Sequence, residues 1–472
     1  MPELRLHPDR LFPGDPATRT MARELYEAVA GLPIISPHGH CDPAWFADNV
    51  PFPNPAELLI KPDHYVFRML HSAGVPLEEL GLPSSDGTPS EADPRVVWRQ
   101  FAERYHLFRG TPSRLWLDWV FAEVFGLEQR LTADVADAYY DAIEAALTTP
   151  AFRPRALFER FNIEVLATTE SPLDPLEHHA AIAKSGWSGR VITAFRPDNV
   201  LDPDQPDFRA DLARLGEITG EDALSYKGYL RALENRRAFF REAGATSTDH
   251  GHPTAATFDL EPDEAERLFA RVTRGAGTLT PADAEVFRGH MLMQMARMSL
   301  DDGMVMQIHP GVTRNHDAAT LRRFGRDKGA DVPTATEYVQ ALKPLLNRYG
   351  ADPRLTLIVF TLDETSYSRE LAPLAGFYPA MKLGPPWWFH DSPEGMRRFR
   401  EQATETAGFY NTVGFNDDTR AFLSIPARHD VARRMDCGFL ARLVVEHRLE
   451  RDEAHQLARG LAYDFAKAAY KL

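Results

Sequence analysis

The chain has 472 residues, 44% hydrophobic and 26% charged, an ordinary globular composition with ample material for a core. Its formal net charge is -15, with a pI near 5.6 and no Lys/Arg run, which argues against nucleic acid as a partner. Two cysteines, Cys41 and Cys437, exclude a disulfide scaffold. Residues 1–20 are polar and lack a signal-peptide core, and no apolar run is long enough to span a bilayer, so the expected compartment is the cytoplasm, with no membrane partner.

Residues 1–31 read as an N-terminal helical segment preceding a barrel over 32–472. The first short apolar run, 32–35, leads into His38-Gly39-His40. At a strand end, side chains two residues apart point the same way, so both imidazoles can reach one metal ion or one substrate. Gly39 lets backbone or ligand come close. Cys41 reads as a small packing residue or as a soft ligand.

The interval 43–161 is too long for one crossover and carries helical periodicity over 96–105, 113–125 and 133–147. It is expected to be a helical insertion packed over the barrel mouth. Near its start stand Lys61-Pro62-Asp63-His64-Tyr65-Val66-Phe67-Arg68. This cluster reads either as a solvated helix start capped by Asp63 or as part of a site.

Seven further runs each end in polar residues or in a Gly/Pro and aromatic cluster. They are 164–169 before Glu170, 191–195 before Arg196-Pro197-Asp198, 245–248 before Asp249-His250-Gly251-His252, and 304–308 before His309. Then come 355–362 before Asp363-Glu364, 380–383 before Gly384 and Trp387-Trp388, and 410–415 before Asn416-Asp417-Asp418-Thr419-Arg420. Helix-like stretches at 263–272, 284–300, 336–349 and 394–407 separate several of them, and Thr280-Pro281 marks a helix start. The tail from 427 onward is helical and expected to close the outer ring. Eight such alternations argue for a parallel sheet closed into a (β/α)8 barrel, with chemistry at the carboxyl ends of the strands. A doubly wound sheet would gather its polar clusters at one switch point, and no G-x-G-x-x-G follows a strand.

Candidate metal ligands are His38, His40 and Asp418, with His309 facing the same mouth from across the barrel. Imidazoles with a carboxylate suit Zn²⁺ or another first-row divalent ion. The first and eighth strands of a closed barrel are neighbours, which brings His38, His40 and Asp418 together. Asp418 also lies in a turn-rich run and has a second reading as a turn cap. His250 and His252 read as strand-end residues or as ordinary surface histidines. Arg196, Arg314 and Arg420 each follow a strand, and several arginines at the mouth of an acidic protein point to a small anionic substrate. Arg196 has a second reading as a bridge to Asp198. Trp387-Trp388-Phe389 reads as a stacking surface for a sugar ring, a wall against water, or core. No G-x-S-x-G elbow and no P-loop competes.

Taken together these motifs resemble the uronate isomerase (glucuronate isomerase) family, a branch of the amidohydrolase superfamily. The resemblance rests on His38-Gly39-His40, Asp63-His64-Tyr65 with Arg68, Phe195-Arg196-Pro197-Asp198, and Gln307-Ile308-His309. It rests also on Thr313-Arg314-Asn315, on Gly384 through Trp387-Trp388-Phe389, and on Asp418-Thr419-Arg420-Ala421-Phe422-Leu423-Ser424. It implies a TIM-type barrel of the metal-dependent hydrolase type. The implied reaction interconverts D-glucuronate with D-fructuronate, and D-galacturonate with D-tagaturonate, by proton transfer through an enediol.

By the same resemblance a divalent metal, Zn²⁺ first, falls on His38, His40 and Asp418. Catalytic roles fall on Asp418, Tyr65, His64 and Arg420, and substrate contacts on Arg196, Arg68, His309, Trp387 and Trp388. Two positions depart from the family pattern. Ser36-Pro37 stand where many relatives carry an acidic residue and an aromatic, which is expected to alter how the imidazoles are oriented. Asp363-Glu364 stand where an uncharged amide is frequent, which is expected to shift the uronate preference. Competing readings are a metal-dependent hydrolase of an amide or lactone, weakened because Thr168-Thr169-Glu170 offers no lysine, and a non-catalytic sugar-acid binder. The expected partner is a small uronic acid. Barrels of this size often form homo-oligomers, and no sequence feature fixes a symmetry.

Overall fold

The computed structural model of the chain describes residues 3–274 and 279–472. In chain order its strands are β1 (Ile34–Ser36), β2 (Ile163–Glu170), β3 (Arg190–Phe195), β4 (Ser247–His250) and β5 (Val305–Ile308). A two-residue hairpin follows, β6 (Val312–Thr313) and β7 (Val332–Pro333), then β8 (Leu357–Val359) and β9 (Met381–Leu383). The main sheet runs β1-β2-β3-β4-β5-β8-β9, with every pair parallel. Parallel strands covered on both faces read as apolar runs, which made most of these segments legible as strands; β4, Ser-Thr-Asp-His, is fully buried but polar.

The expected eighth strand at 410–415 does not form. Phe409–Asn411 is a 3₁₀ turn, and Gly414 lies at φ +76°, outside the β region, so no continuous ladder can propagate. Extended chain fills the gap instead. Val413 N donates to Leu383 O at 3.2 Å, and His40 N donates to Thr419 O at 3.1 Å. The segment 412–419 is thus bonded to β9 on one side and to the turn after β1 on the other, and the (β/α)8 barrel closes through an irregular eighth stave. A second correction concerns 336–342, which is not helical; the helix is Lys343–Tyr349. The preceding backbone is taken up by side chains, with Thr336 N donating to Asp363 at 3.1 Å and Tyr338 N to Glu370 at 2.7 Å.

Between β1 and β2 the chain is helical, including Pro43–Asp48, His64–Ser72, Pro94–Glu103, Pro112–Trp119 and Ala136–Leu147. Several helices start on an acceptor followed by proline: Asp42-Pro43, Asp93-Pro94, Thr111-Pro112 and Thr280-Pro281. The side chain satisfies an otherwise unpaired N–H, and proline occupies the position that needs none. These helices share a core of Phe46, Leu70, Trp98, Phe101, Phe121 and Ile143, continuous with Ile34 and Leu166 of the barrel. Each such side chain contributes roughly 1.5–3 kcal/mol by leaving water.

The long helix Ile425–Val445 packs on Pro16–Val29 through Met21, Leu25, Val29, Leu440 and Ala441. The C-terminus then enters the barrel floor. The Tyr470 phenol donates to Gln307 Oε1 at 2.7 Å and accepts from Asn416 Nδ2 at 2.6 Å. That plug blocks the lower end and leaves the carboxyl-end mouth open for a site. Among the described residues no helix is long and apolar enough to cross a membrane.

Candidate active site

One cavity of about 380 Å³ opens at the carboxyl ends of the strands. It gathers His38 and His40 from the end of β1, Arg196 after β3, Asp249 from β4, His309 after β5, Trp387 and Trp388 after β9, and Asp418 from the eighth stave. The helical region contributes His64 and Tyr65, the first two residues of His64–Ser72. Asp63 caps that helix by accepting from Tyr65 N at 2.8 Å, so its cap reading is correct, and it also lines the cavity. Arg314 and Arg420 complete the wall. Arg68 does not line the cavity; its guanidinium lies 5.0 Å from the Phe389 ring and 5.5 Å from the Tyr65 ring.

His38, His309 and Asp418 each offer a ligand atom, and these atoms lie within 4.8 Å of one another. The His38 and His309 rings stack with centroids 4.8 Å apart. His38 Nε2 and His40 Nε2 lie 3.6 Å and 3.1 Å from Asp418 Oδ1. The ligand set expected from sequence was His38, His40 and Asp418; the geometry puts His309 in the group and leaves His40 as the closer hydrogen-bonding neighbour of Asp418. His309 Nδ1 lies 2.7 Å from Asp249 Oδ1. That carboxylate fixes the proton on Nδ1 and frees Nε2 as a lone-pair donor, and Nε2 is buried without a hydrogen-bond partner among the described residues.

Electrostatics prepare the same group. Burial pushes the His40 and His309 imidazoles below their ordinary pKa, against the pull of Asp418 on the first and Asp249 on the second, and so keeps both neutral. Burial works to raise Asp418, but His38 and His40 outweigh it and hold the carboxyl below its usual range. An ionised carboxylate, the His38 ring and the neutral His309 imidazole with its orphaned nitrogen form a donor set that fits a divalent cation.

Five arginines of the described residues line the cavity, Arg326 and Arg428 among them, and the three expected from sequence stand in different states. Arg196 is committed, with Nε 2.9 Å from Asp198 Oδ2 and Nη1 3.2 Å from Asp249 Oδ2. Arg420 pairs with Asp327 at 3.1 Å and is partly exposed. Arg314 has no carboxylate within ion-pair distance among the described residues and lies 5.4 Å from the Trp388 ring. Burial, reinforced by Arg196, lowers its pKa from the ordinary arginine value. A half-buried cation with no carboxylate in ion-pair contact is well suited to an anionic ligand.

His64 stacks on Tyr65 and meets Trp388 edge-on, with its Nε2 unpartnered among the described residues. Burial, with help from Arg420 and Arg68, pushes its pKa down to about 3, so it acts as a neutral imidazole. Tyr65 donates to Asp391 Oδ1 at 2.9 Å, and Arg428 Nη1 donates to Asp391 Oδ2 at 2.8 Å. Burial raises the Tyr65 phenol well above its ordinary value, with Asp391 adding to the effect. Trp387 packs edge-on against His309 at 4.7 Å. Trp388 sits at φ +48°, a left-handed conformation that a bulky side chain adopts only when its surroundings enforce it.

Asp249, Asp391, Asp327 and Arg428 belong to this assembly and were not picked out from sequence. Asp249 alone carried a signal, since it ends a strand run beside the histidines. Asp391 follows a short 3₁₀ turn and Arg428 lies inside a long helix, where nothing local marks them. His250 and His252 are buried rather than surface histidines. Asp363 and Glu364 do not line the cavity: Asp363 accepts from the backbone N–H groups of Thr365 and of the distant Thr336, and Glu364 pairs with Arg398 at 3.0 Å. Behind Ser36, His38 Nδ1 is buried without a partner among the described residues.

Comparison with known proteins gives a consistent result. The family model described as glucuronate isomerase matches residues 16–470. The chain is 69% identical over 469 residues to a uronate isomerase of Rhizorhabdus wittichii, covering 99% of each. The crystal structure of glucuronate isomerase from Caulobacter crescentus superposes with a TM-score of 0.97 at 63% identity, over 99% of this chain and 97% of that one. That of uronate isomerase from Thermotoga maritima superposes with a TM-score of 0.91 at 26% identity, over 99% of each.

Proposed function

The chain belongs to the glucuronate isomerase family, and from that membership we propose that it interconverts D-glucuronate with D-fructuronate and D-galacturonate with D-tagaturonate. The observation that carries the reading is the pairing, in one cavity, of an ionised Asp418 with an arginine, Arg314, that lacks a counter-ion. A sugar acid brings both things these groups need: a carboxylate for the cation and an acidic carbon for the base.

Aldose–ketose exchange takes a proton from carbon 2 and returns one to carbon 1, while a hydroxyl proton moves from O2 to O1. Asp418, held ionised, accepts the carbon 2 proton. Tyr65 and neutral His64, adjacent on one helix turn, carry the hydroxyl proton. Arg196 and Arg420 stabilise negative charge on the oxygens, and Arg314 takes the substrate carboxylate. Trp387 and Trp388 wall off water. His38, His309 and Asp418, with His40 beside them, would hold a divalent ion, Zn²⁺ in this reading. When bound it supplies positive charge that orients the sugar oxygens.

Residues 43–161 form, in this reading, an insertion into the barrel whose task is to bring His64 and Tyr65 over the mouth. With no lysine in Thr168-Thr169-Glu170, the hydrolase alternative has little support. The expected setting is the cytoplasm.

The test is proton NMR of the purified protein with each aldose in deuterated water. A ketose carrying deuterium at carbon 1 is expected. No ketose from either sugar would overturn the assignment, and a ketose free of deuterium would replace the exchanging enediol with a shielded transfer.

A further inference from the structure

We propose that Asp198, His250 and His252 form a second divalent-cation site, built from residues other than the His38–His309–Asp418 group. Each offers a ligand atom, and these atoms lie within 4.8 Å of one another. The chain carries two His-Gly-His triplets, one after β1 and one at the end of β4. The proposed function uses only the first.

The second triplet is built tightly. His250 and His252 are 0% and 3% exposed. His250 Nε2 lies 3.1 Å from Thr248 Oγ1, which turns Nδ1 away as the free nitrogen. That Nδ1 and both nitrogens of His252 are buried without a hydrogen-bond partner among the described residues. Buried polar atoms without partners are costly, so three in one place call for an occupant. Gly251 is required by the same geometry. A Cβ there would fall 2.4 Å from Arg196 Nη2 and 2.8 Å from Asp198 Oδ2.

Charge favours a cation. His252 faces Asp198, Asp202 and Glu285 against Arg288, and Arg288 is already bonded to Asp202, Asp204 and Glu285. Asp198 accepts from Gly251 N at 3.0 Å and from Arg196 Nε at 2.9 Å. Two imidazoles and a carboxylate select a first-row divalent ion such as Zn²⁺, with water completing the shell. Such an ion would tie the end of β3 to the end of β4 and hold Asp198 where it orients Arg196 in the active cavity.

The experiment strips the full-length protein with a chelator, titrates it with Zn²⁺ or Co²⁺, and counts bound metal by elemental mass spectrometry. Two ions per chain are expected in the wild type, one in His252→Gln, one in His38→Asn and none in the double variant. Circular dichroism and melting of the metal-free proteins check that each variant folds, and His250→Gln serves as an independent second variant. A wild type that saturates at one ion, retained in His252→Gln, overturns the proposal and leaves buried water as the partner of these imidazoles; a single ion lost in His252→Gln upholds it and removes the first group instead. A folded His252→Gln or His250→Gln that still binds two also overturns the proposal.

Discussion

The Tyr65 phenol donates a 2.9 Å hydrogen bond to Asp391, a carboxylate 326 residues on in the chain that is itself gripped by Arg428. Arg428 in turn lies 3.6 Å from the Trp116 ring. A residue from the helical region is thereby fixed to the last long helix, and the hydroxyl proposed to carry a proton has one defined orientation. Tyr65→Phe is expected to keep the fold and to lose activity by ~10²-fold, the lower end of what a positioned proton carrier contributes. Steady-state rates with D-glucuronate check this, and a variant within threefold of wild type would remove Tyr65 from the mechanism.

Asp391 gives that pair a pH signature. Burial pushes its pKa up to about 6, with Arg428 and Tyr65 opposing. Only the ionised carboxylate accepts the phenol proton on Oδ1 while Arg428 holds Oδ2. kcat/KM is therefore expected to fall as pH drops through about 6, and Asp391→Asn is expected to lack that inflection. An unchanged acid limb in Asp391→Asn assigns it to another group.

Asp418→Asn is expected to abolish the carbon-acid step, with a loss of ~10²–10⁴-fold in turnover, because an amide cannot accept the proton. Binding of the uronate, followed by calorimetry, should survive. A variant that retained a tenth of the activity and still exchanged deuterium into product would overturn the assignment.

Arg314→Met is expected to raise KM more than it lowers kcat. Removing a charge-assisted contact to a carboxylate costs about 1.5–3 kcal/mol, or roughly 10- to 100-fold in kcat/KM. The corresponding neutral aldose, which lacks the carboxylate, should respond equally poorly to wild type and variant. A kcat effect with unchanged KM would place Arg314 at the reacting end instead.

Glu170, at the end of β2, predicts a stability change without involving the site chemistry. Burial raises its pKa to about 7, while the Thr193 and Thr168 hydroxyls pull the other way. The fold therefore favours the protonated acid. Its contribution is complete below the ordinary glutamate value and is lost as pH rises through about 7. Glu170→Gln should match wild type near pH 3.5 and exceed it near pH 8 by up to about 3 kcal/mol in denaturant unfolding. Equal differences at both pH values would contradict the shift.

Much of the frame was legible because burial writes itself into sequence. Parallel strands covered on both faces appear as apolar runs, and seven of the eight anticipated runs are strands. The eighth failed because Gly414 leaves the β region, a backbone choice that composition does not reveal. Residues 336–342 failed for a related reason, since Asp363 and Glu370, distant in the chain, take their backbone N–H groups.

The sequence by itself determined the alternation of strand and helix and the polar clusters at the strand ends, His38, His40, Arg196, Arg314 and Asp418 among them, which follow from local periodicity and from residue chemistry. Only the resemblance of its motifs to a known family joined His64 and Tyr65 to them. Only the tertiary structure decided the pairings. Asp249 holds His309, Asp391 holds Tyr65, Asp418 sits against His40, and Arg314 is left without a counter-ion. Each depends on distances of a few ångströms between segments far apart in the chain, and such distances are set by barrel closure and packing, which no local window of residues encodes.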